Sequence, residues 1–156
     1  MKSYLDDAIK PYKGIDSFLF GSKLDYVKKK LKDDLVPYVQ TVDSNKGCVP
    51  EIPWVFITIA NSITLCFVKD ILFEIVLENK FAGKLPNGGY IGMRIDILKE
   101  IDASLEYNDD EEDYSSVEGY WVSDDVESGK ITSITVFVPE IMEESFFDYK
   151  WIDQYL

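Results

Sequence analysis

The chain has 156 residues, 46% of them hydrophobic and 14% aromatic, with a formal net charge of −13 and no histidine. One domain of this length holds enough apolar surface for a core, which excludes disorder as the default. The absence of histidine excludes Ser-His and Cys-His nucleophiles and removes the commonest metal ligand, and two cysteines fall short of a structural zinc site.

Ser3 is placed to cap a first helix, with Asp6 three residues on and Leu5, Ala8 and Ile9 along one face; Pro11 and Gly14 end it. Residues 1–12 hold Lys2, Asp6, Asp7 and Lys10, so no signal peptide is expected there, and no apolar run reaches the length of a membrane span. Cys48 and Cys66 are then two reduced thiols, and the expected location is the cytoplasm. From 22 to 31 the pattern is helical, with Leu24, Val27 and Leu31 on one side and Lys28, Lys29, Lys30 and Lys32 covering the other. Pro37 bars continuation, and 42–53 reads as a loop carrying Gly47, Pro50 and Pro53.

Residues 54–59, 63–68 and 71–78 are β-branched and aromatic runs separated by the short turns Asn61-Ser62 and Lys69-Asp70, which describes an antiparallel meander. The third run alternates poorly, as a strand covered on both faces does. After the hinge 84–89, a second helix is expected over 94–101 with Ile95, Leu98 and Ile101 inward. Residues 102–116 read as a polar loop, 118–122 as a strand, 124–130 as a long connection with Ser128-Gly129 at its tip, and 131–138 as the last strand, stopped by Pro139. The acidic, aromatic segment 140–156 is either a short helix packed on the sheet or a tail awaiting a partner, which leaves Trp151 open between core and interface.

Two stretches match without a gap at an offset of 71 residues. Leu19-Phe20-Gly21-Ser22-Lys23-Leu24-Asp25-Tyr26-Val27-Lys28 and Tyr90-Ile91-Gly92-Met93-Arg94-Ile95-Asp96-Ile97-Leu98-Lys99 share apolar pairs, a glycine, a base, an aliphatic and an aspartate in the same order. The expected fold is therefore α+β: tandem duplicated units of a helix plus antiparallel strands, about 15–83 and 86–139, sharing one sheet with the helices on one face. The whole chain, 1–156, is expected to be one domain, with an added N-terminal helix and the acidic C-terminal segment.

No phosphate-binding loop, metal-ligand spacing or catalytic frame is found. The run Asp109-Asp110-Glu111-Glu112-Asp113 lacks the alternation and central glycine of a calcium loop. No enzyme activity, cofactor or metal is expected. The charge is uneven: residues 1–101 carry 14 bases and 13 acids, whereas 102–156 carry 2 bases and 16 acids. Such a field disfavours nucleic acid and suits a cationic partner, and nothing points to a membrane.

Phe20-Gly21-x-x-x-Asp25-x-Val27, followed by Tyr120-Trp121-Val122 and Gly129-Lys130-Ile131-Thr132-Ser133-Ile134, resembles the small duplicated modules of β-lactamase inhibitor proteins. It is similar also to bacterial toxin immunity proteins of the pyocin, colicin and contact-dependent growth inhibition types, over roughly 3–139. The resemblance implies a protein that binds another protein and has no catalytic residues. With the acidic charge it gives the expectation of an immunity protein that binds and neutralises the C-terminal domain of a cognate toxin, a basic nuclease. The alternative is a non-toxin protein–protein interaction module such as a chaperone or adaptor. The charge count places the partner surface at Asp109, Asp110, Glu111, Glu112, Asp113, Tyr114, Asp124, Asp125, Glu143, Glu144, Asp148, Tyr149 and Trp151, with Phe146 among the aromatic anchors.

Overall fold

The computed structural model describes residues 3–156. No helix spans the start of these residues. The N-terminal helix is replaced by a small antiparallel meander of β1 (Ile9–Lys10), β2 (Gly14–Ile15) and β3 (Phe18–Leu19). Two aspartates account for the difference. The Asp7 carboxylate accepts the Ser17 N–H and that of Asp16 accepts the Ala8 N–H, both at 2.8 Å, so backbone donors are held by side chains from outside a helical turn. Tyr4, Ile9, Ile15 and Phe18 are buried, and the Tyr4 and Phe18 rings meet edge-on at 4.8 Å.

Helix α1 (Leu24–Asp33) buries Leu24, Val27 and Leu31, the expected stripe, and Asp33 closes on Lys29 at 3.0 Å. The chain then enters β4 (Val39–Asp43), an edge strand where a loop was expected from residue 42. Strands β5 (Trp54–Ile59), β6 (Ile63–Val68) and β7 (Ile71–Glu78) follow as predicted. Their hairpins turn at Ala60-Asn61 and Lys69-Asp70, all four at positive φ, the conformation that matches strand twist in a two-residue turn.

Helix α2 (Ile95–Ile101) buries Ile95 and Leu98, while Ile101 is exposed. The stretch expected to be a polar loop is instead a hairpin of β8 (Glu106–Asn108) and β9 (Asp113–Ser116), with the acidic run at its turn. Strands β10 (Tyr120–Asp124) and β11 (Ile131–Phe137) complete the count. The C-terminal segment forms three 3-10 helices, Pro139–Met142, Glu144–Asp148 and Lys150–Tyr155. Among the described residues, no helix is long and apolar enough to cross a membrane.

The fold is thus α+β, and its main sheet is antiparallel, in the order β4-β5-β6-β7-β11-β10-β9-β8. Strands β7 and β11 meet at its centre, pairing Leu77 with Ile134 and Ile75 with Val136. One face packs against both helices and the small meander: Leu24, Val27, Leu31, Ile95 and Leu98 join Ile57, Leu65, Ile75, Leu77, Ile134 and Val136 in one cluster. On the other face the 3-10 helices cover one end, where Phe146, Tyr149 and Ile152 bury against Trp54, Val68, Ile71 and Phe73. That strand-central position explains why β7 alternates poorly.

Each helix is docked by the same hydrogen bonds. Gly21, at φ +93°, donates to Leu72 O at 2.9 Å, and Gly92, at φ +99°, donates to Ile131 O at 2.8 Å. Leu72 N returns to Ser22 O and Ile131 N to Met93 O; Leu24 N binds Asp70 O and Ile95 N binds Gly129 O. Glycine fits both sites because an L side chain is strained at these angles.

Candidate functional site

Strand alternation decides what the uncovered face of the sheet presents. Along β7, Ile75 and Leu77 enter the helix-side core, so Glu74 and Val76 point the other way. Register then sets rows across the sheet. Glu74 pairs with Phe137 on one side and Cys66 on the other, and Cys66 pairs with Phe56. The next row runs Ser115, Trp121, Thr135, Val76, Thr64 and Thr58, all half-buried, with the two threonine hydroxyls Thr58 and Thr64 at 3.3 Å.

Where this face meets the 3-10 helices there is a cleft of about 400 Å³. Its floor is Glu74. Trp54, Phe146, Phe147, Ile141 and Met142 form one wall, Trp121 and Ser115 the other, and Asn108, Glu111, Asp113 and Lys46 the remaining rim. Aromatic contacts stiffen the wall: Trp54 and Phe146 lie edge-on at 6.4 Å, Phe146 and Phe147 at 5.0 Å, and Trp121 stands 4.2 Å from Phe137.

Burial pushes the Glu74 carboxyl up to about 7, against the Lys46 charge and the Cys66 thiol, which both hold it down. Burial and the same carboxylate drive the Cys66 thiol well above its ordinary value. Both cysteines are free, Cys48 exposed and Cys66 buried. Lys46 holds its ammonium 5.6 Å over the Phe56 ring.

The residues expected to bind a partner divide into groups. Glu111 and Asp113 line the cleft. Burial and the Glu111 charge raise the Asp113 carboxyl. Asp109, Asp110 and Glu112 are exposed at the hairpin turn. Asp124 is half-buried at the end of β10; Asp125 is exposed and held below its usual range by the Ser128 hydroxyl and N–H. Glu143, Glu144 and Asp148 are exposed on the 3-10 segment. Tyr114 points away from the cleft, its ring 5.0 Å from Tyr107 and 4.7 Å beneath the Lys99 ammonium of α2.

Tyr149, expected at the partner surface, is 1% exposed and packs in the core cluster under the C-terminal segment. Phe146, also expected as an anchor, is 2% exposed and serves as wall rather than protruding ring. Trp151 is half-buried, stacked on Phe146 at 5.4 Å with its indole N–H donated to Phe146 O at 2.9 Å. The Tyr149 hydroxyl accepts the Trp54 indole N–H at 2.9 Å and donates to Gly47 O at 2.8 Å, pinning the loop before β5 to the C-terminal segment. Tyr149→Phe strands both partners and is expected to cost about 1–3 kcal/mol, lowering the melting temperature by about 2–4 °C per kcal/mol. A thermal melt followed by tryptophan fluorescence checks this; an unchanged melt removes the pin.

Sequence reasoning missed Glu74, Lys46, Trp54, Cys66 and Trp121. One signal was available: Glu74 is the sole charged residue in 71–77, an odd placement for a strand with two buried faces. No family model, no curated protein and no solved structure matches this chain.

Proposed function

We propose that the protein is an immunity protein that binds the effector domain of a cognate bacterial toxin and blocks it stoichiometrically, with no catalytic step of its own. The observation carrying this reading is the shape of the sheet: one face is sealed by helices, and the other is left open beside an acidic hairpin and an aromatic cleft. Small half-buried threonines and serines make that open face flat enough for a protein surface to lie on. The 16 acids of residues 102–156 would draw in a basic nuclease domain by fast, steered association in the cytoplasm, and they oppose binding of nucleic acid itself.

The two halves are read as copies of one helix-plus-four-strand unit. Each docks its helix through the same glycine-led hydrogen bonds onto the hairpin preceding its last strand, and the sheet order reads outward from β7 and β11 alike.

Co-purification with the toxin-like product of a neighbouring gene, and complete inhibition at a one-to-one ratio, test the reading. Asp109→Lys with Asp110→Lys should slow association about tenfold at low salt and flatten its salt dependence, leaving the melt unchanged. If Lys28→Glu with Lys29→Glu weakens binding more, the partner sits on α1 and the open face is the wrong surface.

A further inference from the structure

We infer that the cleft on the open sheet face is an anchor pocket for the side chain of an arginine carried by the partner, with the Glu74 carboxylate as its counter-ion. This rests on the reading of the protein as a partner-binding module and adds which group of the partner is gripped.

Glu74 leaves the central strand into the cleft floor with a single hydrogen-bond partner among the described residues, the weakly donating Cys66 thiol, and it forms no salt bridge among them. A carboxylate placed there stays costly until a cation or strong donor meets it. The protein's own nearby cation does not fill this role, because Lys46 stands exposed at the rim over Phe56. The walls supply the half-buried Trp121 and the exposed Phe147, rings on which a planar guanidinium stacks. Glu111 and Asp113 add negative charge at the mouth. A volume of about 400 Å³ takes an arginine side chain together with part of a neighbouring residue. A lysine fits less well: its compact ammonium keeps its water more strongly and cannot bridge a carboxylate in two-point fashion.

The ionised form of Glu74 is the binding form. Lys46, the Cys66 thiol, Glu111 and Asp113 face it, and burial places its titration near neutrality, at about 7. Ionisation then rises from about one-tenth at pH 6 to about nine-tenths at pH 8, so affinity should rise about tenfold across that interval.

The test titrates the whole protein with Nα-acetyl-arginine N-methylamide and with its neutral citrulline counterpart, read by tryptophan fluorescence and by the indole N–H signal of Trp121. The expected result is a saturable millimolar response to the arginine compound, at least tenfold weaker for citrulline and for Glu74→Gln, and about tenfold tighter at pH 8 than at pH 6. Glu111→Lys, at the exposed rim, should weaken it several-fold and gives a second reading if the Glu74 variant fails to fold. Equal response to the two compounds, or full response in a folded Glu74→Gln protein, overturns the proposal. A failed toxin co-purification beside an intact arginine response would remove the toxin and keep the pocket; the reverse pattern removes the pocket alone.

Discussion

Asp102→Ala is expected to remove about 3–5 kcal/mol of stability and to lower the melting temperature by roughly 10 °C. Asp102 follows the last turn of α2 and is 6% exposed. Its carboxylate accepts the Ser104 hydroxyl at 2.6 Å and N–H at 3.0 Å, the Ser116 hydroxyl at 2.5 Å and the Tyr120 hydroxyl at 2.5 Å. Those donors sit after α2, at the end of β9 and at the start of β10, so one side chain ties the helix to the outer strands. The network extends on: Ser104 Oγ accepts Val117 N–H, Ser116 Oγ accepts Glu118 N–H, and Asn87 donates to both Tyr120 and Glu118. Removing the carboxylate strands several buried hydroxyls at once. Burial alone would raise the Asp102 carboxyl, but the Ser104, Ser116 and Tyr120 hydroxyls together outweigh it and hold it well below the usual range. Its stabilising effect is therefore present above the ordinary value of 3.8 and is lost as pH falls below it. Asp102→Asn keeps the shape and should cost about half as much, because rotated hydroxyls can accept from the amide. Denaturant titration of the three proteins at pH 7 decides this; a loss below about 1 kcal/mol in Asp102→Ala shows that water replaces the network.

The parts of the fold that could be read from sequence were those written as periodicity. Leu24, Val27 and Leu31, and Ile95 with Leu98, mark their helices because three- and four-residue spacing aligns them on one stripe. Strands β5 to β7 are legible as apolar β-branched runs with Asn61 and Asp70, residue types that tolerate positive φ, between them. Strands β8 and β9 were not, because Glu, Asp and Asn have poor strand propensity; their pairing is imposed by β10, through Ser115 opposite Trp121 and Tyr114 opposite Val122. The C-terminal segment did carry a signal that charge obscured: Phe146, Tyr149 and Ile152 recur every third residue, the period of a 3-10 helix, and all three are buried. The acids Glu111 and Asp113 were legible as candidate surface, but the cleft they border was not. It forms only when strand register sets residues 74 and 121 on one face and the 3-10 segment folds Phe146 over that face.

Glu74→Gln is expected to stabilise the protein at pH 8, by on the order of 3 kcal/mol, while leaving it nearly unchanged at pH 4.5. The carboxyl is raised from 4.5 to about 7, chiefly by burial. Between those values the unfolded chain has released this proton and the folded chain still holds it, so folding is opposed more strongly as pH rises. The loss grows from about pH 4.5 to about pH 7 and levels off above, the opposite slope from Asp102 in a different window. Together they place maximal stability on the acid side of neutrality. Glutamine matches glutamate in shape and carries no charge, so it removes the upper slope without opening a void in the sheet. Chemical denaturation of wild type and variant at pH 4.5, 6 and 8 measures it. A wild-type curve flat over that range, or a variant equally destabilised at all three values, shows that the carboxylate is solvated from the cleft. If the slope is found, the free protein keeps a destabilising charge facing an open cleft, and the arginine compound should recover at pH 8 part of the stability that Glu74→Gln restores, and none of it in the variant.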